Sequence, residues 1–405
     1  MHADRSPKAG DPPGPDGPAR IEVGEDYADV RESVRRLCAR FPGEYWRKLE
    51  ESESYPVEFV QALTESGFLG VLIPEEYGGI GLPLRAASVI LSEIHAAGCS
   101  AGACHAQMYI MGTILRHGSA EQKARYLPAI AQGKLRLQAF GITEPTTGSD
   151  TTNVKTRAVR DGDAYRITGQ KVWTSRALHS DLMLLLARTT PASDVKRKTE
   201  GMSVFIVDLR EALGKGLSIR PLPAMINHNT TEVFLDDVVV PAENLIGEEG
   251  QGFRYLLDGL NAERILVASE ALGDARWFCA KAAEYGSERI VFGRPIGQNQ
   301  GIQFPIARAH CEAEAADMMI RKATALFDAG MECGPDANIA KLLASEAAWH
   351  AGEAALQTFG GFGYAREYDI ERKWRETRLF QIAPISTNLI LAYVAQHVLR
   401  MPRSY

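Results

Sequence analysis

Between residues 25 and 135, apolar residues recur three and four positions apart. The stretches "DYADVRESVRRLCARF" (26–41) and "PVEFVQALTESGFLGVL" (56–72) follow this spacing, which predicts amphipathic helices. In "SAEQKARYLPAIAQGK" (119–134), Ser119 stands at an N-cap with Gln122 three residues on, the order of a capping box. Near residue 140 the period shortens to two. "VKTRAVRDGDAYRITGQKVWTSRA" (154–177) alternates polar and apolar around Asp161-Gly162, a hairpin signal. "DLMLLLART" (181–189), "GMSVFIVDL" (201–209) and "TTEVFLDDVVVP" (230–241) continue as strands. After Gly252 the helical period returns and holds to about 397. Helices, then a β block, then helices predict an α+β fold with segregated elements. The boundaries expected are a disordered tail (1–22), a helical domain (23–138), a central β domain (139–248) and a C-terminal helical domain (249–405). No repeat at a solenoid period appears.

The tail is expected to be disordered because Pro, Gly and Asp dominate "MHADRSPKAGDPPGPDGPAR". It has no apolar core for a secretory signal, and its acids argue against a transit peptide. No apolar run approaches the ~20 residues that span a bilayer. A net charge of −6 leaves no basic excess to meet nucleic acid phosphates. The six Cys are scattered, without CxxC and without a His at ligand spacing. They read as reduced, mostly buried thiols of a cytoplasmic protein with no zinc or haem site.

Four stretches carry candidate chemistry, and each has a plain alternative. "AFGITEPTTGSD" (139–150) offers amides and hydroxyls to a ligand, yet on composition a linker is the favoured reading. "GQKVWTSRA" (169–177) sets an aromatic beside two hydroxyls, which suits a planar ring; taken alone, a strand with a buried Trp is favoured. "YGSERIVFGRPIGQNQGIQF" (285–304) contains Arg289, able to grip a phosphate bidentately, or else a solvated helix face. "QTFGGFGYAREYDIERKWRE" (357–376) has three glycines in five residues, where backbone can approach a ligand or simply turn.

In order and spacing the four together resemble the acyl-CoA dehydrogenase family over about 25–400. "TEPxxGSD" matches Thr143–Asp150, "GxKxWIT/WIS" matches Gly169–Ser175, "RxxFGxxxxxxQ" matches Arg289–Gln300, and "QxxGGxGY" matches Gln357–Tyr364. The resemblance implies an N-terminal helical domain, a β-barrel-like middle domain and a C-terminal four-helix bundle, with FAD as cofactor. It implies that Phe140, Ile142, Thr143, Gly148 and Ser149 line the flavin, and that Trp173, Thr174 and Ser175 meet the isoalloxazine edge. Arg289, Phe292 and Gln300 would hold the adenosine and pyrophosphate of a neighbouring subunit's FAD, Gln357, Gly360 and Gly361 would cradle it, and Ser386 and Thr387 would touch it. Such sharing implies at least a dimer, usually a dimer of dimers, with an electron-transfer flavoprotein as electron acceptor. Ser149, Asn261, Arg264, Pro384 and Ile385 would border the acyl-CoA.

The implied reaction takes the α proton of an acyl thioester onto a base while the β hydrogen leaves as hydride to flavin N5, giving the 2-enoyl-CoA. It needs a carboxylate in reach and donors aimed at the thioester oxygen. In most of the family the base is a Glu some 27 residues after the Gln of "QxxGGxGY". Here that count reaches Pro384, in "IAPIS", which supplies neither carboxylate nor backbone N–H. A minority branch, typified by isovaleryl-CoA dehydrogenase, carries its Glu before an Arg on the first C-terminal helix, and Glu263-Arg264 occupies that place. Glu263 also shares the apolar stripe of Phe253, Leu256, Leu260 and Val267. From the stripe alone a structural ion pair is favoured; the missing Glu at 384 turns the reading to Glu263 as base, with its pKa raised by burial. For the lost amide, the Ile385 N–H or a flavin hydroxyl is expected to take the carbonyl. Two alternatives are a same-fold flavin oxidase or monooxygenase, and a non-catalytic flavin-binding relative, against which Glu263 argues.

Overall fold

The computed structural model describes residues 24–403; the predicted tail (1–22) lies outside them. Six helices come first: α1 (Ala28–Cys38), α2 (Gly43–Glu51), α3 (Val57–Glu65), α4 (Leu84–Ala96), α5 (His105–His117) and α6 (Ala120–Ala131). The capping box forms as expected: Ser119 Oγ accepts from the Gln122 amide, and the Gln122 side chain accepts from the Ser119 amide. The β unit follows, with β1 (Leu137–Gly141), β2 (Arg157–Asp161), β3 (Ala164–Ser175), β4 (Leu182–Arg188), β5 (Met202–Asp208), the short α7 (Leu209–Ala212), β6 (Leu217–Pro221), β7 (Thr230–Pro241) and β8 (Leu245–Ile246). Then come α8 (Gly252–Glu288), β9 (Ile290–Val291), β10 (Arg294–Pro295), α9 (Gln300–Asp328), α10 (Gly334–Phe359), α11 (Ile370–Leu379) and α12 (Thr387–Tyr393). β6 is an element that the polar/apolar pattern did not disclose.

Strands β1 to β8 form one mixed sheet in the order β6-β7-β3-β2-β4-β5-β8, with β1 parallel to β4. The sheet curls about its own core but its path does not close, since β6 and β8 remain edges. The hairpin turn lies one residue later than expected. Asp161 pairs with Ala164, so Gly162 and Asp163 form the turn, and Gly162 supplies the φ of +59° at its first position.

The run "LMLLLAR" of β4 is buried along its whole length because both its faces are covered. Leu182, Leu184 and Leu186 join the helical core, whereas Met183, Leu185 and Ala187 join the core inside the sheet. Alternation at period two thus feeds two cores from one strand.

α8 is the central member of the helical part and packs against α4, α5, α9 and α10. α4 is buried from Leu84 to His95, as a helix covered on all sides must be. Asp274 on α8 accepts from His95 of α4 (2.8 Å) and Thr377 of α11 (3.0 Å) and pairs with Lys373 of α11 (2.5 Å). This network fixes α11, from which the Phe380–Ser386 loop emerges. Gly273 is where α8 meets α4, because a Cβ there would lie 2.3 Å from the Ser92 carbonyl oxygen. Gly273→Ala is therefore expected to lower stability by ~1–3 kcal/mol, although helix propensity alone would raise it by about 1 kcal/mol. Thermal or denaturant unfolding reads the sign.

Candidate active site

The first wall of the site is locked by one buried ion pair. Lys171 of β3, fully buried, donates to the Glu144 carboxylate (2.9 Å) and to the Ile142 carbonyl (3.0 Å). Glu144 also accepts from the amides of Lys155 (2.7 Å) and Thr156 (2.8 Å). Burial pushes its carboxyl up, but Lys171 and these donors outweigh that and hold it below the usual range. The Thr143 carbonyl accepts from the Val172 amide (2.9 Å), so two motifs distant in sequence share one frame. Ile142 and Thr143 are half-buried on it, as is Phe140 on β1, while Gly148 and Ser149 are exposed in the following loop.

In β3, pairing with β7 slips between Lys171 and Thr174. The bulge holds Trp173 at φ +60°, and the ring is 59% exposed rather than buried as the isolated motif suggested. Thr174 turns into the interior, where its hydroxyl has no partner among the described residues, and Ser175 is half-buried beside Thr230.

A second surface gathers Arg289 with the glycine-rich turn. A groove is lined by Arg289, Thr358, Phe359, Gly361 and Phe362, with the Arg289 guanidinium 5.7 Å over the Phe362 ring. Arg289 has no carboxylate within 4.0 Å among the described residues. Phe292 and Gly293 form the β9–β10 turn, both with positive φ, which leaves the Phe292 ring fully exposed. Such a conformation is costly for a bulky side chain. Gly360 and Gly361 face open space, Gln357 and Gln300 are exposed, and Ser386 caps α12 by accepting from the Leu389 amide (3.3 Å), with Thr387 next to it. A fully exposed Phe292 ring, a guanidinium with no carboxylate in reach among the described residues and an open glycine turn fit a large planar, phosphate-bearing cofactor.

Glu263 lies on α8 facing α5, 7% exposed. No cation lies within 4.0 Å of its carboxylate among the described residues, which removes the structural ion pair. The following residue, Arg264, donates instead to Asn261 (2.9 Å). Burial raises the Glu263 carboxyl to about 7; the Tyr109 hydroxyl and the charges of Arg264 and Lys341 pull it back only in part. Lys341 of α10 is itself fully buried and donates to the Ile385 carbonyl (2.6 Å). It thereby ties the "IAPIS" loop to the Glu263 neighbourhood. Pro384 is exposed, and the Ile385 N–H makes no hydrogen bond among the described residues.

Family models of the acyl-CoA dehydrogenase N-terminal, middle and C-terminal domains match residues 24–134, 139–238 and 250–399. The chain belongs to the acyl-CoA dehydrogenase family. It is 36% identical over 384 residues to acyl-CoA dehydrogenase fadE12 of Mycobacterium bovis, covering 94% of this chain and 98% of the relative. It is 37% identical to cyclohex-1-ene-1-carbonyl-CoA dehydrogenase of Syntrophus aciditrophicus, with 94% and 91% covered. The solved glutaryl-coenzyme A dehydrogenase–glutaryl-CoA complex superposes with a TM-score of 0.88 at 30% identity, over 95% of this chain and 98% of that one. As an acyl-CoA dehydrogenase, the chain is an oxidoreductase acting on acyl-CoA, with FAD as its cofactor.

Within this acyl-CoA dehydrogenase, sequence pattern alone does not single out Tyr109 or Lys341, nor does it give Glu144 and Lys171 within their motifs a role. Lys341 did leave a signal, since it stands on a stripe with Ala337, Ala344 and Ala348, all buried. Tyr109 left none, because a Tyr on an apolar helix is ordinary. The raised Glu263 pKa has a stability consequence. Its contribution is fully present below the unfolded value of 4.5 and is lost as pH rises through about 7. Glu263→Gln, which cannot ionise, is expected to gain stability over the parent by up to about 3 kcal/mol above pH 8, with little difference below the unfolded value of 4.5. Unfolding at both pH values tests this; a gain independent of pH would contradict the assignment.

Proposed function

We propose that the protein converts an acyl-CoA to its 2-enoyl-CoA, with Glu263 as the base that takes the α proton. The observation that carries the reading is a buried carboxylate without a counter-ion among the described residues, raised to about 7, beside a loop whose usual Glu position holds Pro384. A base poised near neutrality combines a useful charged fraction with real proton affinity. Bound FAD would accept the hydride that leaves the β carbon. Phe140, Ile142, Thr143, Trp173 and Ser175 would border its ring system, and Arg289, Phe292, Gln300, Gln357, Gly360 and Gly361 its nucleotide end. Ser149, Asn261, Arg264, Pro384 and Ile385 would border the CoA thioester.

As the α proton leaves, negative charge builds on the thioester oxygen. The free Ile385 N–H is positioned by the Lys341 clamp on its own carbonyl, and it is the donor this chain offers in place of the missing amide at 384. Lys341 also biases Glu263 toward its charged form. Exposed Phe292, Phe304, Leu391, Leu399 and Met401 support assembly of copies, a dimer of dimers in this reading. No helix among the described residues is long and apolar enough to cross a membrane, and no cysteine there is in a disulfide. These suit a cytoplasmic enzyme that passes electrons to an electron-transfer flavoprotein.

Anaerobic bleaching of bound FAD by a panel of straight, branched and cyclic acyl-CoAs tests the function, and its absence with every thioester would refute it. Glu263→Gln is expected to slow flavin reduction on the order of a thousandfold. In Lys341→Met, loss of the positive charge is expected to move the acid limb of the reduction profile to higher pH. An unmoved limb would separate Lys341 from the base.

A further inference from the structure

Beyond Tyr109 stand polar groups of α5 and α8, with Arg176 and His228 against them, that the chemistry above does not use. The Tyr109 and His105 rings stack with centroids 5.9 Å apart, and the His105 ring lies 6.1 Å from that of His228. His105 Nδ1 bonds to the Glu270 carboxylate (2.7 Å). Next to this pair stands Arg176, just after the "WTS" turn, with φ +61° and 3% of its surface exposed. Its Nη1 donates to His228 Nε2 (3.1 Å), its Nε has no partner, and no carboxylate lies within 4.0 Å of it among the described residues.

A guanidinium stays charged even when buried. Burying it without a paired anion is costly, and that cost is recovered only when an anion arrives. Glu270, the carboxylate nearest in charge, is already engaged by His105. His228 is driven well below its usual pKa by burial and by Arg176, so it is neutral. With Nε2 accepting from Arg176, its proton sits on Nδ1, which is left to donate beside Gly102. Arg176 Nε–H and His228 Nδ1–H are therefore unspent among the described residues, and the two residues line one pocket together with Gly102, Asn227 and Asn229.

The two residues lie at a defined depth. Glu263 and Glu270 are two helical turns apart on the same face of α8, about 10 Å along the axis. Tyr109 borders Glu263, and His105, one turn away on α5, holds Glu270.

We propose that Arg176 and His228 form a subsite for a carboxylate at the far end of a short acyl group, making the preferred substrate the CoA thioester of a dicarboxylic acid. This rests on the reading of the chain as an acyl-CoA dehydrogenase with its base at Glu263. A carboxylate there would take the Arg176 Nε–H and His228 Nδ1–H bonds and complete the charge balance. A methyl end would leave the guanidinium unpaired, and hydrogen-bonding sites reject such analogues strongly.

The test uses the FAD-loaded enzyme and anaerobic flavin reduction by short acyl-CoAs of equal length, ending in methyl, hydroxyl or carboxylate. The expected result is a kcat/KM for the carboxylate on the order of a hundredfold or more above the methyl analogue. Arg176→Gln should collapse that ratio, Arg176→Lys should restore part of it, and both should be checked for bound flavin by absorbance. Equal reduction by methyl and carboxylate ends, or preference for hydroxyl alone, would overturn the subsite while leaving the dehydrogenase reading intact. Bleaching by no thioester would overturn both. The wild-type comparison stands even if a variant fails to fold.

Discussion

A carboxylate enclosed by α5, α8 and α10, with no cation within 4.0 Å among the described residues, is the constraint around which this structure is arranged. Desolvation at Glu263 opposes folding at neutral pH, so the surrounding helices must be held together by other means. The Asp274 network supplies one of them, joining α4, α8 and α11 through His95, Lys373 and Thr377. The apolar stripes of α4, α8 and α10 supply another. What remains at Glu263 is a proton affinity set by burial and trimmed by Tyr109, Arg264 and Lys341.

The same separation of support from chemistry recurs across the site. Lys171 and Glu144 are as deeply buried as Glu263, yet they satisfy one another and nearby backbone groups, so they hold the wall; burial draws the Lys171 ammonium down to about 8, while Lys171 and the amide donors hold Glu144 below its usual range. Lys341 stands between these roles. One of its donors secures the Ile385 carbonyl, and its charge reaches Glu263. The loop that holds Pro384 is thereby fixed by the same cation whose charge reaches Glu263.

Much of the fold was legible because its periods are clean. Helical spacing before residue 135 and after 252, and alternation between, match the observed elements. β6 was missed because "LSIRP" is short, half polar and lies on an edge. The hairpin turn was displaced by one residue because Gly162 is needed at the position of positive φ, which the dipeptide alone does not specify. The motif residues and the carboxylate at 263 can be picked out by spacing, but their exposure cannot. Trp173 reads as a core residue until the bulge in β3 turns it outward.

The sequence by itself determined the family motifs, the absence of a carboxylate at position 384 and the presence of one at 263, because these are matters of identity and spacing. Only the tertiary structure decided that Glu263 has no counter-ion among the described residues, that Lys341 joins it to the loop, and that Arg289 meets the glycine-rich turn. Those relations depend on which helix faces which. The packing of α8 against α5 and α10 is fixed by apolar surface summed over many residues, and no local stretch of sequence encodes that sum.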